Sequence, residues 1–101
     1  MKVIIESDVF KFISTLNRET QLKVQRVLDL LEEYGNVLPM PYSKPLKKGV
    51  FELRARGKQE VRLLYGLNKH GAVVVCGFVK KTQKVPDKTI VQAIKKLKQY
   101  T

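Results

Sequence analysis

The spacing of apolar residues divides this chain into two regimes. Over residues 9–34 they recur at helical intervals: Val9, Phe12, Ile13 and Leu16 form one stripe, and Val24, Val27, Leu28, Leu31 and Tyr34 a second. Ser7 and Asp8 offer caps for the first helix, Asn17 breaks or caps between the two, and Gly35 ends the second. Ahead of them "KVII" (2–5) suits a short first strand. Past residue 50 the interval becomes two. Phe51, Leu53 and Ala55 alternate with Glu52, Arg54 and Arg56, as a sheet with one buried and one open face requires. "GKQ" (57–59) reads as a turn, "EVRLLYGL" (60–67) as a strand and "NKHG" (68–71) as another turn. "AVVVCGFV" (72–79) is apolar on both faces, so it is central or covered by helices. Pro86 and Asp87 open a last helix with Ile90, Val91, Ile94 and Leu97 inward and Lys88, Lys95, Lys96 and Lys98 outward. Between the regimes, "NVLPMPYSKPLKKG" (36–49) holds three prolines and reads as a loop.

The predicted order is β-α-α-β-β-β-α. That is an α+β fold: a small antiparallel sheet of about four strands with the two N-terminal helices packed on one face. A chain of 101 residues has room for one core, so residues 1–101 read as one domain. No apolar run approaches the roughly 18 residues of a membrane span. Glu6 also interrupts the opening segment too early for a signal peptide, so the expectation is a cytoplasmic chain with no membrane partner. The single cysteine, Cys76, cannot form an internal disulfide and agrees with a reducing compartment.

Charge changes the picture most. The chain carries +11, and the excess is polarised: residues 1–36 hold five basic and six acidic residues, residues 37–101 fifteen basic and three acidic. Such a field points to a polyanion, either nucleic acid or an acidic protein. If the turn at 57–59 pairs residue 56 with residue 60, Arg54 stands opposite Arg62 and Glu52 opposite Leu64. Like charges facing each other cost some tenths of a kcal/mol, so roughly that much must be compensated, by a carboxylate such as Glu52 or by a bound phosphate. Two guanidinium forks suit a phosphate, and Arg56 on the same face adds to the case for it. A one-residue slip would separate Arg54 and Arg62. Lys44, Lys47 and Lys48 enter this strand pair, and Lys80, Lys81 and Lys84 leave the last strand, so both groups can rim one face. Tyr65, Phe78 and Tyr42 could stack a base, or fill the core. His70, in a turn, is the only histidine, which excludes a ribonuclease built on two. Cys76 has no companion for a metal site, and no Gly-rich phosphate loop is present. No metal or cofactor is expected.

The motifs "FELR" (51–54), "EVRLLY" (60–65), "GFVKKTQKVP" (77–86) and "AIKKLKQY" (93–100), in this order and spacing, resemble the phage-derived HigB-like branch of the RelE/ParE toxin superfamily. The resemblance covers nearly the whole chain. It implies the toxin of a toxin–antitoxin pair, a metal-independent endoribonuclease that enters the ribosomal A site and cuts mRNA by attack of a ribose 2′-hydroxyl on the adjacent phosphate. It further implies Arg62 for transition-state charge, Arg54 for the scissile phosphate, and Lys81 or Lys84 as donor to the leaving oxygen. Glu52, or a lysine, would be the proton acceptor, unless Glu52 only bridges to an arginine. Lys44, Lys47, Lys48, Arg56, Tyr65, Lys80 and Lys84 would bind RNA. Some HigB proteins use site histidines, which this chain lacks; other RelE-like toxins use lysine, arginine and tyrosine. A cognate antitoxin, acidic in the segment that wraps the toxin, is the implied protein partner. Two other readings share these residues: a ParE-like inhibitor of DNA gyrase, and a noncatalytic RNA- or ribosome-binding protein.

Overall fold

A computed structural model describes residues 1–81 and 84–100. Its elements are β1 (Lys2–Ile5), α1 (Ser7–Ser14), α2 (Arg18–Tyr34), a 3-10 turn (Gly35–Val37), β2 (Ser43–Pro45), β3 (Phe51–Ala55), β4 (Val61–Asn68), β5 (Gly71–Val79) and α3 (Asp87–Lys98). The strands form one sheet in the order β1-β5-β4-β3-β2, antiparallel except where β1 runs parallel to β5.

Alternation along the strands builds two cores. Leu53, Ala55, Val61, Leu63, Tyr65 and Val74 face α1 and α2 and pack on Val24, Leu28 and Leu31 of α2. Leu64, Val73 and Val75 face the other way, toward Val85 and the Ile90 and Ala93 side of α3. The sheet is therefore sandwiched, and β5, between β1 and β4, is covered on both sides as its apolar sequence requires. Asn17 caps α2, its side chain accepting the Thr20 N–H at 2.8 Å, and Gly35 at φ +57° ends that helix. β5 carries an irregularity: Leu64 pairs with Cys76 but Tyr65 with Val74, so Val75 is an extra residue and both Val75 and Cys76 belong to the α3 face.

Several expectations change. The sheet has five strands among the described residues, because Ser43–Pro45 pairs with β3 despite the prolines around it. Proline is tolerated there because β2 is an edge strand. Ser7 and Asp8 lie inside the first turn of α1 and do not cap it; the cap position is Glu6, with no side-chain bond. In α3 the inward stripe uses Ala93 while Val91 is half exposed. Lys96 is not outward: its ammonium donates to Glu6 Oε1 (2.9 Å) and to the Val75 carbonyl (3.1 Å), fastening α3 to the start of α1. Hydrogen bonding to Glu6 raises the Lys96 pKa, against burial, which lowers it.

Candidate functional site

β3 and β4 pair with Phe51 opposite Tyr65, Glu52 opposite Leu64 and Arg54 opposite Arg62. The five-residue connection thus sets the register expected from the sequence, and both arginines face the α3 side of the sheet beyond the reach of the α3 core. Both are buried more deeply than an open basic face would make them: the Arg54 side chain is 13% exposed and that of Arg62 4%.

Two carboxylates hold the pair. Glu52, almost wholly buried, accepts a hydrogen bond from Arg54 Nε at 2.8 Å. Its same oxygen lies 3.8 Å from Arg62 Nε, too far for a hydrogen bond, and Arg62 Nε is buried with no partner among the described residues. The second carboxylate is Glu60. Its Oε1 accepts from Arg62 Nη2 at 3.0 Å and from Arg56 Nε at 3.3 Å, while Oε2 accepts the Gly57 N–H at 3.2 Å. Burial would raise its pKa, but the Arg62 hydrogen bond, the Gly57 N–H and the Arg62 charge outweigh that and lower it. In the free chain the compensation thus comes from carboxylates, one of the two sources that the sequence allows, Glu52 among them. Glu60 was missed as part of the site, although it stands two residues before Arg62 on one strand and so shares its face.

The other expected residues divide by position. Lys44 on β2 is exposed and stands across from Glu52 on the same face. The Lys80 N–H bonds the Glu60 carbonyl at 2.7 Å, which places the exit of β5 beside the Arg56 and Arg62 end, and Lys81 follows it, exposed. Lys47 and Lys48 lie in the turn at the far end of β3; Lys47 is paired with Asp87 at 2.8 Å, at the start of α3. Lys84 adds charge near Asp87, whose pKa is lowered first by the Lys47 hydrogen bond. The lysines thus form two groups and not one rim. Thr82 and Gln83, within the basic run, lie outside the described residues.

Tyr65 corrects its expected role in binding RNA. It faces the α2 core, 2% exposed, stacked on Phe51 with centroids 5.4 Å apart, and its hydroxyl bonds Ser43 Oγ at 2.6 Å. A base could reach it only by opening that core. Burial likewise raises the Cys76 pKa, although the nearby Lys96 charge lowers it, so the thiol is poorly suited to act as a nucleophile. Among the described residues no three of His, Cys, Asp and Glu gather as a metal site, and no helix is long and apolar enough to cross a membrane.

What this arrangement can do is hold anionic oxygen. Two opposed guanidinium groups, one with an unsatisfied buried donor, are fixed by carboxylates that leave them aligned on neighbouring strands.

The sequence model of a family described as phage-derived Gp49-like proteins matches residues 11–98. No curated protein sequence matches the chain. Among solved structures, a chain of the YoeB–YefM complex from Staphylococcus aureus superposes with a TM-score of 0.58 at 16% identity, over 81% of this chain and 97% of that one. At that identity the likeness is one of fold.

Proposed function

The chain belongs to the phage-derived Gp49-like protein family, and from that premise we propose that it is the toxin of a toxin–antitoxin pair and cleaves mRNA as a metal-independent endoribonuclease on the translating ribosome. The observation that carries the reading is the opposed Arg54 and Arg62 pair with its unsatisfied buried donor. The fold shared with a chain of the YoeB–YefM complex supports it, as does the charge of +11.

In the proposed reaction the scissile phosphate enters between Arg54 and Arg62. Attack by the 2′-hydroxyl makes a pentacoordinate phosphorane, whose added negative charge is met by Arg62, held in place by Glu60. Lys81 gives a proton to the departing 5′-oxygen. Glu52, buried and already bonded to Arg54, suits positioning rather than proton abstraction. The 2′-hydroxyl proton passes to solvent at the open edge of the same face, where the exposed Lys44 stands. Arg56 and Lys80 lie along the same end and guide the strand; Lys47, Lys48 and Lys84 extend the field toward α3. An antitoxin with an acidic segment would cover this field.

The test is induced expression of wild type, Arg62→Ala and the surface variant Lys81→Ala, with messenger 5′ ends mapped by primer extension. New ends inside translated frames that vanish in both variants, with the variants still folded, are the expected result. Growth arrest by wild type without new ends would overturn the reading and direct attention to gyrase or to ribosome blockade.

A further inference from the structure

One strand along the sheet from Arg62, a cavity of about 290 Å³ opens between the start of α1, the second half of β5 and α3. Phe78 connects the two places. Half-buried, it stands directly opposite Arg62, belongs to the α3 face of the sheet as the arginines do, and also lines the cavity. Neighbouring strands lie about 4.8 Å apart, so a phosphate at Arg62 and a base just beyond β5 are separated by roughly 5–10 Å, which one nucleotide bridges.

The polar lining of this cavity is unsatisfied. β1 accompanies β5 only as far as Ile5 and Val74, which leaves the β5 edge bare beside the cavity. The Lys80 N–H donates to the Glu60 carbonyl, so 60/80 and 62/78 are the hydrogen-bonded pairs, and Gly77, opposite Leu63, turns its N–H and carbonyl away from β4. Among the described residues neither group finds a backbone partner. Asp8 from α1 and Gln92 from α3 also line the cavity, and among the described residues their side chains make no hydrogen bond or ion pair. Lys96 engages two of its three donors, on Glu6 and on the Val75 carbonyl, and keeps one. A carboxylate inside an otherwise basic field repels phosphate; what it accepts is a donor edge. Of the four bases only guanine presents two adjacent donors, N1–H and N2–H₂, for a carboxylate to accept as a pair, beside an acceptor, O6, for Lys96 or Gln92.

We propose that this cavity is a guanine-reading subsite. The base of a nucleotide flanking the phosphate at Arg54 and Arg62 lies against Phe78, Asp8 accepts its N1–H and N2–H₂, and Lys96 or Gln92 donates to O6. The proposal rests on the RNA reading of the arginine pair. One stacked face and one hydrogen-bonded edge are the means by which single-stranded RNA is read by sequence.

The experiment measures anisotropy of four fluorescein-labelled 2′-O-methyl hexanucleotides, which lack the attacking hydroxyl: U6 and the three strands with G, A or C at its third position. Circular dichroism checks that each variant is folded. Wild type is expected to bind the G strand about tenfold more tightly than the other three. Asp8→Asn, at an exposed position, should cut that preference to less than about twofold while U6 affinity stays within about twofold of wild type. Phe78→Leu should weaken all four strands by about fivefold, since stacking serves any base. If wild type binds all four equally and Arg62→Gln binds none, the subsite is overturned and the arginine site stands. A guanine preference that survives Asp8→Asn, or a preference for another base, also overturns it. If wild type binds no strand, the subsite is overturned, and primer extension decides cleavage independently.

Discussion

Replacing Glu52 by glutamine keeps its shape and removes one charge, which makes it a sharp probe of the arginine pair. Glu52 is 1% exposed, bonds Arg54 Nε at 2.8 Å and is the nearest carboxylate to the unsatisfied Arg62 Nε. Removing one member of a buried pair costs about 3–5 kcal/mol, because the other charge stays buried without compensation. Here Glu60 still holds Arg62 and Arg54 keeps some solvent, which favours the lower end, about 3 kcal/mol. With a urea m-value of about 2 kcal/mol/M, the unfolding midpoint should fall by about 1.5 M. That is a large share of the roughly 5–15 kcal/mol that holds a domain folded. Urea titration followed by circular dichroism measures it. Inorganic phosphate, compared with chloride at equal ionic strength, should raise the midpoint of Glu52→Gln more than that of wild type, because an anion at the arginines can supply the negative charge that glutamine lacks. A Glu52→Gln midpoint equal to wild type would refute the reasoning and make Glu52 a carboxylate without structural work.

Three further predictions concern other parts of the molecule. The raised Lys96 pKa means that the Glu6 pair is fully stabilising below the ordinary lysine value of about 10.4 and is lost as pH rises through the folded value, so Lys96→Met should flatten the alkaline limb of a stability–pH profile. The lowered Glu60 pKa works in reverse: its contribution is present above about 4.3 and disappears as pH falls through the folded value, and Glu60→Gln should reduce acid sensitivity in the same measurement. Gly71 sits at φ +141° with the Lys2 carbonyl where a Cβ would go, so Gly71→Ala should cost more than about 2 kcal/mol and expose the β1 amides to hydrogen exchange; unchanged protection of residues 2–5 would contradict this.

Much of this was legible in local pattern. Alternation in "FELRAR" and a turn of defined length were enough to oppose Arg54 to Arg62, because an antiparallel pair has only that register once the turn is set. The same parity places Tyr65 with Leu63 on the far face and Glu60 with Arg62 on the near one; these were readable consequences that residue type obscured. Other features depend on partners distant in sequence. Ser43–Pro45 becomes a strand only because the β3 edge is there to receive it. The extra residue Val75 resets β5 so that Phe78 stands opposite Arg62, and an apolar run carries no mark of such a shift. In α3 the helical spacing of 90, 93, 94 and 97 already puts Ala93 on the inward face and Val91 outside it, and the larger side chain of Val91 obscured this.

The parallel pairing of β1 with β5 has a consequence for the order in which the molecule can be completed. Strand β1, residues 2–5, must wait for residues 71–74 before it has a neighbour. At the usual elongation rate of about 5–20 residues per second, that interval lasts roughly 3–14 s. Until it ends, β1 has no edge to join and Lys96, still to be made, cannot reach Glu6. A chain released early by a stop codon before residue 71 would therefore carry both arginines of the pair on a sheet without β5, and β1 would be left with no neighbour at all.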